Sequence, residues 1–162
     1  MEPFVVLISG SREFYGMTLM FEKLRALTDA VWAETPERVI VIVAGGAAGA
    51  DFLAKVWALD HMKGDPRVRY LEFPAEWDRY GKAAGAIRNQ AMLKHSQPAH
   101  ALAFPVLPAR GTLDMIARLK DAKVPLEVYE VFIDKDTASL QTRIAKALGK
   151  LPRQDDDDSI VL

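Results

Sequence analysis

The chain contains no cysteine. Disulfides, thiol nucleophiles and cysteine-ligated metals are therefore excluded. Histidine is scarce. His61, His95 and His100 lack metal-ligand spacing, and each reads as a surface or packing residue, so no metal centre is expected. Net charge is nearly absent: 21 Lys and Arg against 22 Asp and Glu give -1. That balance argues against the basic groove of a single-strand binder and against attraction to an acidic membrane. Long apolar runs are missing too. The first, Phe4–Ile8, has no basic region before it and is too short for a signal peptide or a membrane span, so a cytoplasmic protein is expected. Two nucleotide fingerprints are also lacking. No G-x-G-x-x-G follows the first apolar run, and no G-x-x-x-x-G-K-[ST] occurs anywhere, which excludes the standard dinucleotide motif and the P-loop. No convincing nucleophile–base pair is present.

What is present is enough for one domain with a real core: 162 residues, half of them apolar. Short apolar runs alternate with helix-period segments. Strands are predicted at Phe4–Ser9, Arg38–Ala44, Val68–Phe73, Ala99–Phe104 and Pro125–Phe132. Helices are predicted at Met17–Ala33, Ala50–Met62, Lys82–His95, Thr112–Asp121 and Thr137–Leu148. In the third of these, Ala84, Ile87, Ala91 and Met92 are expected to pack inward. This alternation implies an α/β fold, an open, mainly parallel sheet of about five strands with helices on both faces. The domain is expected over residues 1–149. Residues 150–162 carry Asp155–Asp158, which repel one another, and read as a mobile acidic tail.

The unusual residues gather at the carboxyl ends of the predicted strands, where open α/β sheets bind ligands. After the first strand come Gly10, Ser11 and Arg12. The glycine admits a close approach, the serine offers a hydroxyl, and the arginine forks onto a phosphate or pairs with a neighbouring acid. After the second strand, Gly45, Gly46 and Gly49 lead into a helix starting near Asp51, a pattern that presents unpaired N–H groups to an anion. Asp51 has two readings. It complements the helix dipole, or it accepts from a ribose hydroxyl or fixes Arg12 or Arg88. After the third strand, Trp77 and Tyr80 offer stacking surfaces, although Trp77 also reads as a lid folded onto the core. Arg88 and Asn89 follow on the next helix, with Arg88 a phosphate candidate flanked by small residues. Its truncation to alanine is expected to leave the fold intact. After the fourth strand, Arg110, Gly111 and Thr112 form a second helix start, with Thr112 as its N-cap.

In this order and spacing, Gly10-Ser11-Arg12, Gly45–Asp51, Pro74–Trp77 with Gly81–Gly85, Arg88-Asn89 with Met92, and Arg110-Gly111-Thr112 resemble the SLOG superfamily. This group is named from the DNA-processing protein Smf/DprA and the cytokinin-activating LOG enzymes. The resemblance is to its YspA/YpsA-like branch of bacterial and phage proteins, and it covers Phe4 to Phe132. It implies a Rossmann-like form of the α/β fold, a nucleotide-type small molecule as partner, no cofactor, and a homodimer or higher homo-oligomer. LOG enzymes cleave an N-glycosidic bond with the glutamate of a Pro-Gly-Gly-x-Gly-Thr-x-x-Glu motif. Here Met115 stands in that glutamate's place, and methionine cannot act as a general base. Asp114 is adjacent but turned by about 100° on a helix. Two functions remain. One is a protein that binds a nucleoside phosphate or ADP-ribose-like ligand, as a sensor or sequestering protein in phage–host conflict. The other is a hydrolase acting on an N-glycosidic or phosphoribosyl bond, with Asp51, Glu76 or Asp114 as its carboxylate.

Overall fold

β-Branched runs bounded by glycine and helix-period segments produce the expected alternation. The computed structural model describes residues 1–131. Strands β1 (Phe4–Gly10), β2 (Ile40–Ala44), β3 (Val68–Glu72), β4 (His100–Phe104) and β5 (Leu126–Val128) form one parallel sheet in the order β3-β2-β1-β4-β5. The expected final helix and the acidic tail lie outside the described residues, as does the boundary at residue 149.

Alternation along the strands divides the core in two. Val6, Ile8, Ile40, Ile42, Leu102 and Phe104 face α1 (Met17–Glu34) and α2 (Ala50–Met62), meeting Met20, Leu24, Leu53 and Trp57. Leu7, Val43 and Ala101 face the other way, toward Met92, Met115 and Leu119. These come from α4 (Ala84–Ser96) and α5 (Arg110–Asp121). The chain changes face between β3 and β4, which places the topological switch point between the ends of β1 and β4.

Three local expectations differ. The third predicted helix is broken: α3 is the single turn Trp77–Tyr80, a 3-10 turn follows at Gly81–Ala83, and only then does α4 begin. Gly81 has φ +55, a conformation that ends α3 and prevents one continuous helix. Ile87 was expected inside but is 42% exposed, because α4 rests on the sheet through Ala84 and Met92. α5 starts at Arg110, two residues early, with Ala109 at the cap position. Thr112 is therefore buried in the first turn and is not the N-cap.

Candidate functional site

A cleft of about 260 Å³ opens at the switch point. Its floor is the end of β1, Ser9 and Gly10. One wall is the loop after β1 with Arg12, and another is the first turn of α5, Arg110 to Thr112. Trp77, Arg88 and Asn89 complete it on the α4 side, and Asp51 on the α2 side. Segments far apart in the chain thus converge on one hollow.

The loops are held against each other by backbone contacts. Gly49 has φ +73 and ψ -122, and a Cβ there would strike the carbonyl oxygens of Ser11 and Arg12. Glycine is required on both counts. The closeness lets the Ala50 N–H donate to the Ser11 carbonyl at 3.2 Å. Ser11 Oγ does not offer itself to the cleft in the expected way. It accepts from the Val106 N–H at 2.8 Å and donates to the Val106 carbonyl at 3.1 Å, clipping the loop after β1 to the loop after β4.

The glycine turn after β2 holds an anion that belongs to the protein itself. Asp51 Oδ2 accepts from the Ala47 N–H at 3.2 Å. Gly45, Gly46 and Gly49 lie behind the wall of the cleft: a Cβ on Gly45 would collide with Arg88 Nη1, and one on Gly46 would come within 2.9 Å of the Glu72 carboxyl carbon. Burial pushes the Asp51 carboxyl up to about 6, even though Arg88 and the turn N–H groups pull it down.

Arg88 is anchored. Nη1 donates to the Gly45 carbonyl at 2.7 Å and to the Phe73 carbonyl at 3.4 Å, and Nε donates to Asn89 Oδ1 at 3.0 Å. The Asn89 amide is committed as well. Its Nδ2 donates to the Gly111 carbonyl at 3.1 Å and to Asp114 Oδ2 at 3.0 Å, tying α4 to α5. That leaves Asn89 in the wall as a brace.

Of the three carboxylate candidates, only Asp51 lines the cleft. Glu76 is exposed and 3.7 Å from Arg79. Asp114 receives Arg118 Nε at 2.8 Å and Asn89. Burial raises its pKa, but these bonds outweigh burial and hold it below the usual carboxylate range. Met115 is fully buried among Leu7, Val43 and Leu119.

The cationic and aromatic elements sit together. The Arg12 guanidinium lies 5.7 Å from the Trp77 ring centroid. Trp77 stands half-buried at the start of α3 and packs along Gly85. Tyr80 instead faces Arg79, 5.0 Å from its ring centroid, and is not part of the wall. α5 has no side-chain cap among the described residues, so its first-turn N–H groups meet the cleft without an intrahelical partner.

A family model described as the YspA, cpYpsA-related SLOG family matches residues 4–80. Gene 61 protein of Mycobacterium phage D29 is 32% identical over 121 residues, which cover 75% of this chain and 92% of the phage protein. The chain belongs to the YspA, cpYpsA-related SLOG family. The solved structure of MT0777 aligns over 93% of this chain and 100% of that one, at a TM-score of 0.42 and 13% identity. Within this SLOG chain the matched stretch contains the Arg12 loop, the Asp51 turn and Trp77. Arg88 and the start of α5 lie beyond it.

Sequence reasoning missed part of the wall and its support. Ala109 lines the cleft as the residue before α5. Behind Asp51, Lys55 Nζ meets Glu72 Oε1 at 3.2 Å, and the Tyr70 hydroxyl donates to the same oxygen at 2.8 Å. The available signals were spacings: Lys55 lies one helical turn after Asp51, and Tyr70 and Glu72 share one face of β3.

Proposed function

We propose that the cleft binds a phosphorylated, nucleotide-type small molecule, as a sensor or sequestering protein. The observation that carries the reading is the meeting of the uncapped first turn of α5 with Arg12 at the switch point, beside the Trp77 ring. Helix N-terminal N–H groups and a forked guanidinium favour a phosphate. An indole wall favours a flat base. The phosphate belongs at the α5 end, because the glycine turn after β2 already encloses the Asp51 carboxylate. A volume of about 260 Å³ lies at the lower edge of ligand pockets, which suits one nucleoside phosphate better than a ligand with two nucleosides. The proposal extends to a role in phage–host conflict, a setting in which a phage-encoded relative would occur. The test is to denature purified protein, identify released small molecules by mass spectrometry, and titrate the apoprotein with nucleoside phosphates by calorimetry. A phosphorylated nucleoside recovered or bound supports the reading. No heat from any of them overturns it.

A second reading, hydrolysis of an N-glycosidic or phosphoribosyl bond, is favoured by one observation. Asp51 is a buried carboxyl in the cleft wall, with a pKa pushed up to about 6, in the range of an acid–base group. Free base released from a nucleoside monophosphate, and lost in Asp51→Asn, would establish it.

A further inference from the structure

We infer that Asp51 reads the sugar hydroxyls of the ligand, so that the cleft selects ribonucleotides over their 2′-deoxy counterparts. The inference rests on the nucleotide reading of the cleft and names the ligand class more closely.

Asp51 is 5% exposed, yet it lines the cleft. Its hydrogen-bond donors in the described structure are backbone N–H groups of the glycine turn, Ala47 at 3.2 Å and Gly45. A carboxylate offers about four acceptor sites, so capacity remains for donors arriving from the cleft. Two other polar side chains of the cleft are committed. The Asn89 amide is shared among Arg88, Gly111 and Asp114, and Ser11 Oγ is held by Val106. A ligand that brings hydroxyls to this wall therefore meets a carboxylate acceptor with open lone pairs.

The spacing supports the same assignment. Asp51 follows β2 and the first turn of α5 follows β4, with β1 between them. Two strand spacings are about 10 Å. A ribose 5′-phosphate hydrogen-bonded at both ends spans a length of that order. With the phosphate at α5 and Arg12, the 2′- and 3′-hydroxyls reach Asp51. The reverse orientation would put a phosphate against a buried carboxylate.

Charged and titratable groups surround Asp51 on every packed element. Arg88 comes from α4, Glu72 and Tyr70 from β3, Lys55 from α2 itself, and Arg12 from the loop after β1. Ionised Asp51 accepts from both hydroxyls of a diol. Protonated Asp51 donates its own hydrogen and accepts less well. The preference for ribose is therefore strongest above the pKa of Asp51, which burial sets at about 6, and shrinks as the pH falls through that value.

The experiment is calorimetry with the four ribonucleoside 5′-monophosphates and the four matching 2′-deoxy compounds. The ratio within each pair cancels the titration of the phosphate, whose second pKa is about 6. Expected is tighter binding of at least one ribonucleotide, by about tenfold at about pH 7.5, the scale of a charge-assisted hydrogen bond. The ratio should fall toward about threefold or less near pH 5. Asp51→Asn should hold one low ratio at both pH values, with circular dichroism confirming that it folds. If Asp51→Asn fails to fold, the wild-type ratio at the two pH values decides alone. Equal binding within every pair overturns the inference and leaves the nucleotide reading standing. A preference that persists undiminished in a folded Asp51→Asn protein also overturns it. No binding by any of the eight overturns the reading of the cleft and the inference together.

Discussion

Replacing Gly49 by alanine tests whether the cleft is shaped by backbone pressed on backbone. At φ +73 and ψ -122 an alanine is strained by about 1–3 kcal/mol. Its Cβ would also overlap the Ser11 and Arg12 carbonyl oxygens, which cannot rotate away as a side chain can. Relief requires the loop after β1 to lift from α2. That sacrifices the 3.2 Å bond from Ala50 to Ser11, a further loss of about 0.5–1.5 kcal/mol. The expected cost is about 2–4 kcal/mol, a large part of the typical total of about 5–15 kcal/mol. At about 2–4 °C per kcal/mol for a chain of this size, the midpoint drops by about 5–15 °C. Urea unfolding followed by circular dichroism measures it. Gly111→Ala is the control. Among the described residues nothing beyond its own chain neighbours and helix backbone lies within 4 Å of a Cβ there, and its helical position should leave stability unchanged or raise it by up to about 1 kcal/mol. A Gly49→Ala protein within about 0.5 kcal/mol of wild type, the range of an ordinary surface change, would refute the reasoning.

Three further outcomes follow from the buried charges and the second core. Burial lifts Asp51 from 3.8 to about 6 in the folded protein. Between those values the folded state holds a proton that the unfolded chain has lost. Stability should therefore fall as pH rises from about 4 to about 6, by on the order of 3 kcal/mol. Asp51→Asn should flatten that segment of a urea-denaturation pH series, and an unchanged slope would place its origin elsewhere. Arg88→Ala should cost about 2–4 kcal/mol in the same assay, because it removes the bonds to the Gly45 and Phe73 carbonyls and the cation beside buried Asp51. Wild-type stability would show that this anchoring is idle. Met115→Glu should destabilise by several kcal/mol and create no hydrolase, since it buries a carboxyl among Leu7, Val43 and Leu119. A thermal midpoint near wild type would contradict the packing described.

The fold was legible because its signals are strong and local. β-Branched runs such as Val39–Val43 mark buried strands, and α2 lies at Ala50–Met62 as its pattern predicts. The convergence of Arg12, Asp51, Arg88 and Thr112 was also legible, since a parallel sheet brings the carboxyl ends of its strands to one edge. What escaped was the use to which each polar group is put. Ser11 and Asn89 have the residue types of ligand contacts, but their partners lie in distant segments: Val106 for Ser11, and Gly111 and Asp114 for Asn89. The anchoring of Arg88 depends on a carbonyl 43 residues away, which helical periodicity does not reveal. For the same reason the small stability cost that the sequence suggests for Arg88→Ala gives way to the larger cost predicted above. The glycine turn reads from sequence as a seat for a ligand's phosphate, whereas in the structure its Ala47 N–H is taken by the protein's own Asp51 carboxylate.

The most direct measurement is an amide and indole nuclear magnetic resonance titration of the full chain with nucleoside 5′-monophosphates. Binding in the cleft predicts saturable shifts concentrated at Ser11–Glu13, at Arg110–Thr112 and on the Trp77 indole. No shift at millimolar ligand, or shifts confined to the opposite ends of the strands, would contradict it.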